Sequence, residues 1–343
     1  MVGFAVRDYP LVSVCIANYN GSAFIAGCIQ SVLAQDCDFQ VEVLVHDDAS
    51  TDDSAELVAR DYPDVRLIRS DSNVGFCVAN NRMVTQAKGS YVLLLNNDAE
   101  LQPDALRALL DEADAVGKPA ILSLPQYDYS TGELIDRGCL LDPFFNPVPN
   151  LDPQRRDVAM VIGACLWIPK PLWDEMGGFP EWFGSIAEDM YLCCRARLAG
   201  YPVRVQDASG YRHRVGQSFG GGRVQGRILV TSIRRRALSE CNKTFVMAMT
   251  CPTPFMQMIM PIHLLLLLVE GGLLSILKRR IEYLRTIYWP LFTKLFLRRE
   301  QLLATRAAIM NARHFSSVDF FAVFDFFPYK LKMFLRYGLP RVY

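Results

Sequence analysis

The run Tyr91-Val92-Leu93-Leu94-Leu95 is apolar at odd and even positions alike, so a strand built from it must be covered on both faces. Such a strand belongs in the middle of a parallel sheet wrapped by helices. The residues before it supply the neighbours. Leu11 to Ile16 is a short β-rich run ended by the turn-like Asn18-Tyr19-Asn20-Gly21. Phe24, Ile25, Cys28, Ile29, Val32 and Leu33 then recur at helical spacing. Val41 to Val45 predicts a second strand, stopped by His46-Asp47-Asp48-Ala49-Ser50-Thr51, where Thr51 or Asp52 can cap a helix running to Arg60. Val65 to Ile68 predicts a third strand, and a helix follows from about Gly75 to Ala87. Strand and helix alternate, which predicts an α/β domain with ligands at the carboxyl ends of its strands.

The second half reads differently. Residues 125–157 hold Pro143, Pro147, Pro149 and Pro153 and read as an irregular surface excursion; Val158 to Ile168 restores strand character. A helix from about Glu188 to Ala199 should end at Gly200. Gly220-Gly221-Gly222 reads as a flexible loop, either a gate over a bound donor or a plain linker. Phe255 to Leu277 is nearly all apolar and long enough to approach a membrane span, but Pro261, His263, Glu270 and Gly271-Gly272 weaken that reading. An in-plane or hairpin membrane helix fits the run better, and a buried core helix is the remaining choice. Organisation is therefore expected as a catalytic domain over 1–245 and a helical, basic region over 246–343.

Charge sharpens the contrast. The formal net charge is zero, so no global field favours nucleic acid. From Lys278 to Tyr343, however, thirteen Lys and Arg face four acids, Glu282, Glu300, Asp319 and Asp325. A greasy, basic back suits anionic lipid or the pairing of subunits. Ten cysteines show no metal spacing and no framework of pairs, so buried thiols in a reducing compartment are expected. Met1 to Pro10 carries Arg7 and Asp8 and no apolar core, so no signal peptide is expected and the front is placed in the cytoplasm.

Four constellations carry chemistry. Asp47-Asp48 closes the second strand; a carboxylate there can accept from a pyrimidine N3–H, or serve only the turn. Leu95-Asn96-Asn97-Asp98 follows the central strand, and Asp98 stands where a divalent cation could bridge protein and diphosphate. Glu188-Asp189 opens a helix whose dipole favours an ionised carboxylate, a cap or a general base. Tyr211-Arg212-His213-Arg214, followed by Gly216 and Ser218, contains one of only four histidines; His213 could close a metal site with Asp98, and the arginines could reach phosphate oxygens.

Together these pieces resemble glycosyltransferase family 2, the inverting enzymes of the GT-A fold, over roughly residues 10–245. Val12 to Asn20 looks like that family's opening strand and first nucleotide-binding turn, which implies Ala17 and Tyr19 at the nucleotide. Glu42 to Ser54 looks like its base-binding acidic turn and implies Asp47 as the pyrimidine reader. Asn73-Val74-Gly75-Phe76 with Ala79-Asn80-Asn81-Arg82 matches the helix before the metal motif, and implies Asn80 in the donor site. Asn96-Asn97-Asp98 is similar to a DxD variant in which only the last residue is acidic. Gly163-Ala164-Cys165, Gly177-Gly178-Phe179 and Glu188-Asp189 match the acceptor-side segment.

The resemblance implies a GT-A (Rossmann-like) mixed, mostly parallel sheet flanked by helices, with Asp189 as base, Asp98 and His213 as ligands of Mg²⁺ or Mn²⁺, and Gly163, Ala164 and Glu188 near the sugars. It implies a nucleotide-sugar donor and a lipid-linked or oligosaccharide acceptor at the cytoplasmic face of the inner membrane. The Asn-Asn-Asp variant and the His-x-x-Gly-x-Ser pattern look most like the rhamnosyltransferase branch of surface-glycan assembly. Met83, Tyr191 and Cys241 depart from the family pattern, and the QxxRW motif of processive synthases is missing. Tyr191 and a metal motif with a single acid motivate a rival, a non-catalytic sugar-nucleotide-binding or scaffold protein that keeps the fold. A dinucleotide oxidoreductase would need GxGxxG after the first strand, and Asn18 to Gly21 does not supply it.

Overall fold

The computed structural model describes residues 11–216, 221–225 and 228–343. They fall into two compact units. The first holds the described residues within Met1–Arg137, Val161–Gly184 and Arg204–Arg214; the second holds Gly138–Met160, Ser185–Val203 and the described part of Val215–Tyr343. Ser218 and Gly220 lie outside the described residues.

The strands predicted from periodicity are β1 (Val12–Asn18), β2 (Val41–Asp47), β3 (Arg66–Arg69) and β4 (Tyr91–Asn96). They pair in parallel, β1 lying between β2 and β4, with β3 beyond β2. Between them run α1 (Ile25–Leu33), α2 (Ser54–Asp61) and α3 (Phe76–Gln86), and α4 (Ala105–Val116) follows. On α1 the residues Ile25, Cys28, Ile29 and Val32 point inward, the stripe that the spacing required. The N-cap position of α2 is Asp53, which makes no side-chain cap, rather than Thr51 or Asp52; Asp52 accepts from the Ser54 amide at 3.1 Å.

Further short strands follow: β5 (Ala99–Leu101), β6 (Ile121–Ser123), β7 (Gln126–Asp128), β8 (Leu134–Asp136), β11 (Cys165–Pro169), β12 (Val203–Val205) and β13 (Tyr211–His213). The main sheet has seven strands in the order β12-β6-β11-β4-β1-β2-β3, and a second sheet runs β5-β13-β7-β8. The antiparallel pairing of β11 with β4 and β6 makes the main sheet mixed. Of the stretch 158–168, only Cys165 onward is strand, continuing to Pro169 in β11; Met160 makes an isolated bridge to Cys139. Trp167 stands in the middle of β11, fully buried and stacked on Tyr91 at 4.9 Å between ring centroids. The short helix α5 (Lys170–Met176) follows.

The second unit corrects the reading of 125–157 as irregular surface. Within it β9 (Cys139–Leu141) and β10 (Pro147–Pro149) form a ribbon, and Leu140, Leu141, Phe145 and Val148 are buried. The prolines hid this ribbon, because a two-stranded edge leaves amide positions that need no ladder partner. Helix α6 (Glu188–Leu198) ends as expected just before Gly200, whose φ is +92°. Gly221 and Gly222 belong to a strand rather than a loop, β14 (Gly221–Gln225), which pairs with β15 (Ile228–Thr231); β16 (Arg341–Val342) joins them.

The rest is helical: α7 (Ile233–Thr250), α8 (Phe255–Leu277), α9 (Trp289–Leu297), α10 (Arg299–Asn311), α11 (Ser317–Phe321) and α12 (Tyr329–Tyr337), with a π-helical turn at Leu284–Tyr288. Residue 245, the expected domain edge, lies inside α7. All ten cysteines are within the described residues and no disulfide joins them.

Polar groups, not only apolar ones, fill the interior of this unit. Glu240 is 2.7 Å from Lys243 and 2.6 Å from Lys330, and Lys330 also reaches Glu270 at 2.7 Å. Arg236 pairs with Glu270 and donates to the Tyr288 hydroxyl at 3.1 Å. Buried charges survive only when paired in this way. Burial pushes Lys243 down to about 8 although Glu240 beside it pulls the other way, and burial drives the His263 imidazole down to about 3. His263 is therefore neutral, and it shares a hydrogen bond with the Thr244 hydroxyl at 2.8 Å.

The sheet packing yields a direct test. Trp167→Ala empties an indole-sized volume beneath β4, and the expected loss of stability is roughly 3–5 kcal/mol, read from urea unfolding. A loss under about 1 kcal/mol would show that Trp167 is not a core residue.

Candidate functional site

Register brings the carboxyl ends of β1, β2 and β4 level, because Ala17 pairs with both His46 and Asn96, and Asn18 pairs with Asp47. The side chain that ties them together is Asn18, which is 1 % exposed. Its amide donates to Asp47 Oδ1 at 3.0 Å and to Ser54 Oγ at 2.9 Å, while its carbonyl accepts from Asn97 Nδ2 at 2.8 Å. Asn18 entered the sequence reading only as a turn residue. Its role here depends on three partners 29, 36 and 79 positions away, which no local pattern reveals.

Asp47 is buried, and its second oxygen takes the Ser50 amide at 3.1 Å. Asp48, also buried, accepts from the amides of Val74 at 2.7 Å and Gly75 at 2.8 Å. The two neighbours thus divide their work: Asp48 pins the chain entering α3, and Asp47 shapes the turn at the strand end. Tyr19 is half exposed at the rim and Ala17 is partly buried. Asn80 is buried and donates to the Phe76 carbonyl one turn back in its own helix at 2.8 Å. Gly163 and Ala164 form the turn before β11, where the Ala164 carbonyl accepts the Asn96 amide at 3.0 Å.

Asp98 and His213 meet. The pairing of β13 with β5 sets His213 opposite Ala99, and the Nε2 of His213 lies 3.1 Å from Asp98 Oδ1. Both side chains are buried, and Asn96 Nδ2 is 3.4 Å from the same ring nitrogen. The spacing suits adjacent ligands on one octahedral ion, whose neighbouring donors stand about 3 Å apart when bonds are about 2.1 Å. Among the described residues no group of three or more His, Cys, Asp and Glu could hold a metal, so protein would supply two ligands. That donor set fits a hard divalent cation that keeps substrate phosphate oxygens and water for the remaining positions. Arg214 is already engaged: it pairs with Glu100 at 3.3 Å and its guanidinium lies over the Tyr129 ring at 3.2 Å from the centroid. Arg212 is exposed, and Gly216 has φ +86°.

Glu188 and Asp189 belong to the second unit, at the first turn of α6. The two residues before it, Ile186 and Ala187, have φ of +71° and +70°. Consecutive side-chain-bearing residues in the left-handed region are costly and persist only where other contacts hold them. Asn242 of α7 provides the hold, donating at 2.9 Å to the carbonyls of both Ser185 and Ile186. The turn aims the start of α6, and Asp189 takes the Met190 amide at 2.7 Å. Burial, reinforced by the adjacent Asp189 charge, pushes the Glu188 carboxyl up to about 8. Glu188 is thus a protonated acid at neutral pH. Arg235 is held below its ordinary range by burial, which the acidic pair Glu188 and Asp189, carrying its charge on Asp189, opposes. Asn242 and Arg235 were missed in the sequence, since each lies some fifty residues from the turn it serves.

Residues 13–170 match the family model described as glycosyl transferase family 2. The chain is 34 % identical over 192 residues to a chondroitin synthase of Escherichia coli, covering 54 % of this chain and 27 % of that one. It is 29 % identical over 206 residues to an N-acetylglucosaminyl-diphospho-decaprenol L-rhamnosyltransferase of Mycobacterium tuberculosis, covering 51 % and 67 %. The match spans about a third or less of the length of the first two relatives. A mannosyltransferase from Pyrobaculum calidifontis, solved with GDP-Man and Mn²⁺, superposes with TM-score 0.51 at 18 % identity, covering 88 % of this chain and 87 % of that one. The mixed sheet with flanking helices is accordingly the GT-A fold, and residues 13–170, just under half of the chain, match glycosyltransferase family 2.

Proposed function

We propose that this chain transfers a sugar from a nucleoside-diphosphate sugar to a hydroxyl of a lipid-linked or polysaccharide acceptor in bacterial surface-glycan assembly, with inversion at the anomeric carbon. The observation that carries the reading is the Asp98–His213 pair at the end of the central strand. It is a ready-made two-ligand seat where a GT-A fold would bring the donor's diphosphate. Asp47, in the turn beside Asn18, is assigned to the pyrimidine N3–H, with Ala17, Tyr19, Asn80 and Asn97 around the nucleotide. Rhamnose is the favoured sugar, on the Asn-Asn-Asp and His-x-x-Gly patterns and on the name of the mycobacterial relative. The work is assigned to the cytoplasmic face of the inner membrane.

Asp189 is the base in this scheme. Its carboxylate takes the proton of the acceptor hydroxyl as that oxygen bonds to the anomeric carbon. The bond from carbon to the phosphate oxygen breaks with its electron pair, and the nucleoside diphosphate leaves. Asp98 and His213 would hold Mg²⁺ or Mn²⁺, which when bound would neutralise the charge on that diphosphate. One base suffices, in contrast to the paired carboxylates of glycosidases. Glu188, neutral, adds no second negative charge next to the base, and Gly163 and Ala164 are assigned to the sugar side.

Three measurements test the scheme. Removal of the base by Asp189→Asn should lower kcat about 10²–10⁴-fold with little change in KM; unchanged turnover would leave the fold as a binding scaffold. In thermal-shift titrations over a panel of nucleotide sugars, with dTDP-rhamnose first, Mn²⁺ should raise the Tm further only when a donor is present. Asp98→Asn and His213→Ala should each erase that increment, and a metal response intact in both would move the cation elsewhere. The third is a pH test. Between about 4.5 and about 8 the folded chain retains a Glu188 proton that the unfolded chain has released, so this residue erodes stability as pH rises. The Tm advantage of Glu188→Gln over wild type should therefore grow from pH 5 to pH 9; parallel profiles would show that Glu188 does not retain the proton.

A further inference from the structure

Helix α8 inverts the usual arrangement of a surface helix. Its inward stripe is His263, Leu267, Gly271, Leu274 and Ser275, and Glu270 beside that stripe is held by Arg236 and Lys330. Its outward stripe is Ile262, Leu265, Leu266, Val269, Leu273 and Ile276, all exposed by between 46 % and 73 %. In water the outward face should be polar. A core helix would be covered, yet only 28 % of its most apolar window is buried. An apolar patch of this extent marks a surface meant to be covered.

Length alone would allow a span, since 23 residues rise about 35 Å. The polar side decides against it. Gly271 sits so close to the π-helical turn that an added Cβ would come within 2.8 Å of Leu284 and Tyr288. Glu270 is tied to α7 and α12 through Arg236 and Lys330, which join Glu240 and Lys243. Upright insertion would carry this five-charge cluster into hydrocarbon or tear it apart, and either is far costlier than laying one face on the interface.

The flanks name the partner. Lys278, Arg279, Arg280 and Arg285 are exposed directly after α8, followed by Trp289, itself 60 % exposed. The only acids from 255 to 299 are Glu270, engaged inward, and Glu282, paired with Arg280 at 2.8 Å. A second copy of this face would bring further cations and no spare carboxylate to meet them. Anionic lipid offers both an apolar layer and negative headgroups, with indole rings favoured at the boundary.

We propose that α8 lies in the plane of an anionic bilayer surface, its Ile262–Ile276 face in the acyl boundary and Lys278, Arg279, Arg280 and Arg285 among the headgroups. This deepens the membrane side of the proposed function and specifies docking without crossing. The test is co-sedimentation of the full chain with phosphatidylcholine vesicles and with phosphatidylcholine–phosphatidylglycerol vesicles. Strong, salt-sensitive pelleting is expected only with the second. The pair Lys278→Glu and Arg279→Glu should weaken it at least about fivefold per cation lost, and Leu265→Glu with Leu273→Glu should abolish it, both at unchanged Tm. Membranes from expressing cells should release the wild-type chain in alkaline carbonate. Failure to pellet with phosphatidylglycerol, equal pelleting of the variants, or carbonate resistance, which marks a span, each overturns the proposal. So does a wild-type dimer dissolved by the leucine changes without any lipid binding. No step requires turnover, so a chain that pellets but transfers no sugar loses the enzymatic reading and keeps this one.

Discussion

The first unit is organised around one buried amide. A parallel sheet leaves the ends of its strands as separate loops, each free to take its own path. Asn18 removes that freedom by donating to Asp47 and Ser54 and accepting from Asn97, so that the turns after β1, β2 and β4 become one hydrogen-bonded piece. Asparagine suits the task because a single side chain carries both donors and an acceptor. Aspartate there would set a second carboxylate against Asp47 and lose the donors, and an apolar residue would leave buried polar groups unmet. The positions of Asp47 and Asn97, both assigned to the nucleotide in the proposed scheme, are thus set by a residue that need not touch one.

The second unit solves a comparable problem with charge. The start of α6 depends on a left-handed turn that its own residues resist, and Asn242 holds it from α7. One turn from Asn242, the same helix contributes Glu240 and Lys243 to the buried cluster that also fastens α8 and α12. One helix therefore both steadies the candidate base and anchors the helix proposed to meet lipid. Isolated ion pairs in an interior gain little over apolar packing. A network with alternating signs specifies which helix lies against which, a result that interchangeable leucines would not give.

How much of this could be read from the sequence follows from the range over which each constraint acts. The strands β1 to β4 and helices α1 to α3 were legible because burial imposes a period within ten residues, as Ile25, Cys28, Ile29 and Val32 show. Asp98 and His213 were paired by resemblance across 115 positions, and their side chains do meet. The ribbon of β9 and β10 escaped because three-residue strands are too short to show a period and prolines mimic a loop. Asn18, Asn242 and Arg235 escaped as working residues because nothing local marks a polar residue whose partners lie far along the chain. The polar interruptions His263, Glu270 and Gly271 in the apolar run are visible in the sequence and weaken the reading of a span. What the sequence could not show was that they share one side of the helix with a partner waiting for each.

That distribution bears on how the chain divides its chemistry. The sugar-nucleotide machinery assigned here is set by short polar hydrogen bonds at strand ends, and these tolerate little displacement: a hydrogen bond stretched by half an ångström is largely lost. Lipid contact asks for the opposite, an apolar face whose exact residues matter less than their sum. Placing the strand-end hydrogen bonds around Asn18 and the apolar face of α8 on separate compact units lets each obey its own rule. A residue such as Ile276 can then change among apolar types without consequence for Asn18, whereas Asn242, in contact with the turn before Asp189, cannot change without moving it. Tolerance to substitution should accordingly be broad on the outward face of α8 and narrow along the inward face of α7, although both helices lie in the same half of the chain.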